Sequence, residues 1–404
     1  MSAIAATPAP ARMPRIAAFL LLASITVSFL AGSSAPTPLY AIYRSEWHFS
    51  ATMMTVIFGI YALAVLVALL IAGRLSDHVG RRPVLVAAIA TQVVTMALFA
   101  EAGSLAQLVF ARVLQGLSAG AALGAIGAGL LDIDRTQGAI ANSVTPPVGT
   151  AFGAVLAGIL VQYFAHPTQL VYVVLAAVLV LQGIGVALMA ETHTPRPGAL
   201  ASLKPHLRFS PEVRRALVLS APALVAAWAM AGFFASLGPS LVQTLFGSTT
   251  LVGSLSLFVM ATSAAVVTWL MRNLSGTALT RLGAIVLAIG AAGILLSFPR
   301  HSEPLFWAAL PVAGAGFGAA FQGAVRTIAT SAPAHERAGA LSMAFVVSYL
   351  AMGLPAMVAG YLVTRQGNLV ATASEFGVFV IVLAAVALAA TFGDATLSRT
   401  ARPQ

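Results

Sequence analysis

The chain has 404 residues, 59% hydrophobic and only 8% charged, with a mean hydropathy of +0.96. Its 21 basic and 11 acidic side chains could not cover a soluble protein, which carries about 25% charged residues, and such apolarity also excludes disorder. A polytopic membrane protein remains, and the absence of cysteine removes disulfide frameworks and cysteine-ligated metal centres.

About 20 apolar residues cross a hydrocarbon core of about 30 Å. Twelve such runs are predicted in chain order: 16–43, 51–73, 83–101, 104–131, 143–164, 168–190, 214–243, 249–271, 280–298, 304–330, 340–364 and 375–393. None alternates as an outer-membrane strand must, so spanning helices are expected. The first run follows Arg12 and Arg15, and the small residues Ala31 to Ala35 also suit a cleavable signal peptide. Its apolar stretch exceeds a signal core of about 7–15 residues, so a retained first helix is expected.

Placing both termini in the cytoplasm makes the charges coherent. Of the 21 Lys and Arg, only Arg44, Arg300 and Arg365 then fall outside and Arg112 falls within a span; the rest lie inside. This is a positive-inside bias. The basic balance records topology and contact with anionic lipid, and nucleic acid is not needed to explain it. A multi-pass protein of the bacterial inner membrane is expected.

The longest polar interruption, 191–213, carries Pro195, Pro197, Pro205 and Pro211 and much of the basic charge. It predicts a cytoplasmic linker between two six-helix bundles, 1–190 and 214–404. A weak internal repeat agrees. Gly138-Ala139-Ile140 returns as Gly339-Ala340-Leu341, and Leu156 to Val161 returns as Val358 to Val363, shifts of 201 and 202. Chance similarity in Ala/Gly/Leu-rich helices is the competing reading. Parallel repeated halves with a midplane site are a transporter architecture.

Between the second and third runs stands Gly73-Arg74-Leu75-Ser76-Asp77-His78-Val79-Gly80-Arg81-Arg82-Pro83. Gly80 suits a tight turn and Pro83 a first helical turn; on composition alone a generic basic loop reads the same. Its full spacing resembles the loop signature of the major facilitator superfamily. Arg112-Val113-Leu114-Gln115-Gly116 in the fourth run is similar to the helix-four signature of proton-linked exporters in that superfamily. Pro36-Thr37-Pro38-Leu39-Tyr40 resembles the proline-rich first helix of its drug exporters. A third exporter signature is incomplete: the fifth run has Pro147, Gly149, Gly153 and Gly158 but lacks Gly-Pro followed by paired glycines.

The resemblance implies an all-α fold of two pseudo-symmetric bundles that rock about a cavity lined by helices one, four, seven and ten. It also implies a cytoplasmic gate at Gly73, Asp77, Gly80, Arg81 and Arg82. Asp77 would accept from the amides near Ala340 to Ser342, where a helix start favours negative charge. Arg81 would pair with Asp132 or Asp134. Tyr40, Gln115, Trp228, Ser236 and Gln322 are expected as cavity lining, although each is also explicable as an interhelical contact. A small-molecule substrate, membrane lipid contacts and a monomer are expected, with protons as the coupling ion that the resemblance implies.

Arg112 is expected about 12 Å deep, where a charge should face the bundle interior. It is either structural, bonding helix-end carbonyls or Gln115, or engaged with a substrate anion or with coupling. The acids complicate coupling. Glu46, Glu101, Glu303 and Glu375 sit near outer helix ends, and the other seven are cytoplasmic. Glu101 is the nearest candidate to Arg112. Coupling through Glu101 or Asp77, through deprotonation of the substrate, or no coupling all stay open. A buried anion for a cationic drug is lacking, so neutral or weakly anionic substrates fit better.

Secondary active efflux of small organic molecules is thus the leading expectation, with a metabolite importer or facilitator and a non-transporting sensor as alternatives. An enzyme would need a buried nucleophile, acid pair or metal cluster; the spans supply none, and no cofactor is expected. No phosphate-binding loop for ATP is present.

Overall fold

The structure, a computed structural model, describes residues 13–73, 75–194, 196–199 and 209–400. Arg12, Arg74, Pro195, Lys204, Pro205, Arg208 and Arg402 lie outside the described residues. Among the described residues there is no strand, and twelve helical spans are long and apolar enough to cross a membrane.

Spans one to six comprise Arg15–Ser34 with Pro36–Trp47, Ala51–Ala72, Arg81–Ala100, Leu105–Ile133, Arg135–Tyr163 and Pro167–Leu188. Spans seven to twelve comprise Pro211–Ser236 with Gly238–Phe246, Thr250–Leu270, Gly276–Ser297, Glu303–Ser331, Ala334–Gln366 and Leu369–Thr400. Three spans, the fifth, eleventh and twelfth, begin six or more residues earlier than apolarity predicts, because helix starts are set by caps. Asp134 accepts from the amides of Thr136 and Gln137 at 2.9 and 2.8 Å, so span five includes the polar Thr136 to Ser143. Asn368 accepts from the Ala371 amide at 3.0 Å and starts span twelve six residues before Glu375. Glu375 therefore lies within a helix, taking a bond from Gln366 Nε2 at 3.2 Å. Span eleven starts at Ala334, behind Pro333.

Spans one and seven are each broken once, at Ala35 and Leu237, positions 202 residues apart. That shift matches the sequence repeat, and packing repeats with it. A Cβ on Gly116 of span four would stand 2.6 Å from the Tyr61 carbonyl of span two. On Gly318 of span ten it would stand 2.6 Å from the Ala264 carbonyl of span eight. Only glycine lets these backbones approach so closely.

Where the two six-helix sets meet, hydrogen bonds occur at the end remote from both termini. Thr52 Oγ1 donates toward the Gly360 carbonyl at 3.3 Å and lies 2.8 Å from Thr364 Oγ1, joining span two to span eleven. Gly360 is pressed on Thr55 and the Ala51 carbonyl, and Gly158 of span five on Ser254 and Leu251 of span eight. Because no cysteine competes, this closure is directly testable. Thr55→Cys, fully buried here, should label several-fold faster with an impermeant maleimide once Gly360→Leu wedges the spans apart. Equal labelling rates would refute the tight contact.

Candidate functional site

Two polar centres stand out in the first six spans. The first is the turn after span two. A short helix, Ser76–Val79, ends at Gly80, whose φ of +99° and ψ of 155° belong to a region essentially restricted to glycine. Arg81, 4% exposed, then reaches back. Its guanidinium donates to Asp77 Oδ1 at 2.5 Å, Ser76 Oγ at 2.7 Å and Asp132 Oδ2 at 3.2 Å.

Of the two acids expected near Arg81, Asp132 is its partner, while Asp134 is occupied as the span-five cap. Asp77 bonds Arg81 within its own half rather than the amides at 340–342. Glu191, just beyond span six, was not anticipated. It accepts from the amides of Arg81 and Arg82 at 2.8 and 3.0 Å, capping span three where the helix dipole favours an anion. Arg82 donates to the Ala187 carbonyl, and Gly73 lies against Gly124 of span four. His78 meets the linker through the carbonyls of Arg196 and Pro197 at 3.3 and 3.1 Å.

The second centre is Arg112, the eighth residue of span four and fully buried. Its environment follows from the broken first span. In an α-helix the carbonyl of Gly32 would accept from the amide four residues on, but that residue is Pro36, which has none. Gln115 Nε2 fills the vacancy at 2.9 Å. Arg112 donates to the next carbonyl, Ser33, at 3.0 Å, to Gln115 Oε1 at 2.6 Å, and to the Tyr40 hydroxyl. The rings of Tyr40, Tyr61 and Phe99 stand 5.5, 5.4 and 5.7 Å from the guanidinium carbon.

No carboxylate is paired with Arg112 among the described residues. Placing Arg at mid-membrane costs about 2.5–3.5 kcal/mol on insertion scales. Hydrogen bonds to a charged group contribute about 1.5–3 kcal/mol each, and ring faces add about 0.5–2 kcal/mol. The charge is therefore held without an acid. Its Nε remains buried without a partner.

The other expected site residues disperse. Glu101 ends span three exposed and outside the Arg112 centre. Ser236, 2% exposed, turns its hydroxyl onto the Gly232 and Phe233 carbonyls of its own helix. Tyr40 and Gln115 are buried with Arg112 rather than open lining. Trp228 and Gln322 are partly exposed, each with a buried polar atom lacking a partner. Among the described residues no group of three His, Cys, Asp or Glu could hold a metal.

Both centres yield stability expectations. Gly80→Ala should cost about 1–3 kcal/mol, since the backbone is strained and its Cβ would meet Glu191 Oε2 at 2.6 Å. Glu191→Ala should lower stability less, and the double variant should fall short of the sum; additive thermal shifts in detergent would contradict the contact. Gln115→Leu should cost about 1–3 kcal/mol by leaving the Gly32 carbonyl unpaired, and an unchanged unfolding midpoint would count against that role.

Comparison with known proteins extends the picture. Residues 21–356 match the Major Facilitator Superfamily. Over 168 residues the chain is 32% identical to the tetracenomycin C resistance and export protein of Streptomyces glaucescens. That stretch is 40% of this chain and 31% of the relative, so the match spans under a third of the relative's length. A bacterial homologue of the human lysosomal transporter Spinster, solved inward-facing and unoccupied, superposes with a TM-score of 0.75 at 15% identity. It covers 94% of this chain and 97% of that one. The human organic anion transporter MFSD10 gives 0.69 at 14% identity, over 93% and 100%. At such identity these structures speak to fold. A family match over most of the chain, the twelve-helix fold and the Gly73 to Arg82 turn agree, and this chain belongs to the Major Facilitator Superfamily.

Proposed function

We propose that this multi-pass membrane protein is a secondary transporter that exports small organic molecules by alternating access from the cytoplasm of a bacterial cell. Residues 1–190 and 214–404 are its two moving bundles, and 191–213 is the cytoplasmic linker. The observation that carries this reading is the pairing pattern at the two ends. The bundles are hydrogen-bonded at the end remote from the termini, through Thr52, Gly360 and Thr364. The Asp77 carboxylate is meanwhile engaged inside its own bundle by Arg81. This pattern supports a state closed at the outer end, in which an Asp77 gate would be disengaged from the second bundle. In the opposite state Asp77 would leave Arg81 for the start of span eleven.

The export direction draws support from the likeness to an export and resistance protein over part of the chain. The substrate's charge is read from the inventory. A lipophilic cation entering the spans meets the buried Arg112 cation with no carboxylate paired to it among the described residues, so neutral or anionic molecules are favoured. Proton coupling through a mid-membrane carboxylate has no candidate among the described residues. Deprotonation of the substrate itself is the remaining route.

Inverted vesicles made from cells overproducing the protein test the reading. A panel of uncharged and anionic compounds should accumulate on energisation, and a proton ionophore should abolish that uptake. Uptake that survives the ionophore would remove proton antiport. Asp77→Asn should slow accumulation at normal expression and raise the inward-facing fraction, read by single-cysteine labelling at the remote end. Normal transport with unchanged labelling would end the gate assignment.

A further inference from the structure

Trp228 stands at the centre of an aromatic cluster drawn from three spans of the second half. Its ring centroid lies 5.8 Å from Phe317 and 5.2 Å from Phe321, both edge-on at 84° and 85°. Tyr349 of span eleven tilts over it at 5.6 Å. Phe317 and Phe321, one turn apart on span ten, are parallel within 7°, and Phe345 continues the cluster 6.3 Å from Phe321. The cluster lies beside the other half, because Gly353, one turn on from Tyr349, packs against Ala62 and Gly59 of span two.

A self-packed aromatic core would explain the rings but not their polar atoms. The indole Nε1 of Trp228 is buried without a hydrogen-bond partner, and so is the amide oxygen of Gln322, the residue after Phe321. A phenylalanine at 228 would keep an aromatic ring among these neighbours without stranding a donor, which is costly when buried. Trp228, Phe317, Phe321 and Gln322 are partly exposed and Phe345 is 36% exposed, so the cluster is accessible rather than sealed. Faces and edges of this kind favour a flat aromatic partner.

We propose that this cluster is a subsite for planar, fused aromatic molecules, neutral or anionic, that carry a carbonyl oxygen and a hydroxyl group. The carbonyl accepts from Trp228 Nε1, the hydroxyl donates to Gln322 Oε1, and the rings stack against Phe321 and Tyr349. The subsite names the substrate class of the exporter proposed above and rests on that reading for its transport role, though its binding does not depend on transport.

Binding of 1,8-dihydroxyanthraquinone to the full-length protein in nanodiscs, measured against protein-free nanodiscs, tests it. Trp228→Phe keeps an aromatic ring, though a smaller one, and removes the donor. It should weaken this ligand about five-fold, the value of one hydrogen bond near 1 kcal/mol, and leave anthracene, which lacks the oxygens, unchanged. Gln322→Leu should act alike, and Phe321→Leu should weaken both compounds. If Phe321→Leu fails to fold, Trp228→Phe, which keeps an aromatic ring at the centre of the cluster, still decides the matter. Equal anthraquinone binding by parent and Trp228→Phe would overturn the subsite, as would tighter binding of rhodamine 6G, a planar cation, to the same residues. Anthraquinone binding that is lost in these variants, in a protein that moves nothing across vesicles, would support the subsite and sink the transport reading. Transport of other compounds with no anthraquinone binding would do the reverse.

Discussion

A carbonyl with no donor is not tolerated in hydrocarbon, and prolines in spans one and seven create such carbonyls at matching places. Pro36 leaves Gly32 without its amide, and Gln115 of span four supplies one. Pro239 leaves Ala235 likewise, and Thr37 of span one supplies its hydroxyl at 2.8 Å. The first repair draws span four onto span one and carries Arg112 to the Ser33 carbonyl beside it. The second ties the first half to the seventh span. The Arg112 centre and part of the contact between halves thus follow from a single requirement, that broken helices in a membrane be completed by side chains from elsewhere.

The same economy governs charge. Arg112 is held by neutral oxygens and ring faces, not by a carboxylate, so the interior keeps one cation whose bonding is nearly complete. Arg81 is the contrasting case. It lies at a helix end, takes two carboxylates and a hydroxyl, and shares its neighbourhood with Glu191, so that a cluster of opposite charges fastens spans two, three, four and six at one point. Cations that organise the turn and the mid-span core are therefore built on different physics, ion pairing near water and hydrogen bonding to backbone in its absence.

Much of this was legible in the chain itself. The twelve spans follow from apolar length, and the largest shifts among their starts include those where Asp134 and Asn368 cap polar first turns that hydropathy reads as loop. The Gly80 turn and the burial of Arg112 follow from residue type and spacing. Pro36, four residues after Gly32, was a readable sign of an open carbonyl. Glu191 carried no such sign, since it lies 110 residues from Arg81 and a lone acid after a span looks like any helix-end charge. Ser236 was misleading because a serine in a helix can bond its own backbone, and Glu101 because nearness along the chain does not survive the turn at a helix end.

Length, apolarity and charge placement by themselves determined that this is a twelve-span helical membrane protein, because crossing hydrocarbon leaves the backbone few alternatives. They also put one arginine at depth, and the turn and helix-four spacings pointed to the family. Only the tertiary structure decided what that arginine touches, which acid holds Arg81, and that Trp228, Phe321 and Tyr349 converge with unpaired polar atoms. Those outcomes depend on which face each helix turns inward. When nearly every face is apolar, hydropathy periodicity is too weak to choose, and the choice falls to close backbone approach at glycines and to the pairing of orphaned carbonyls.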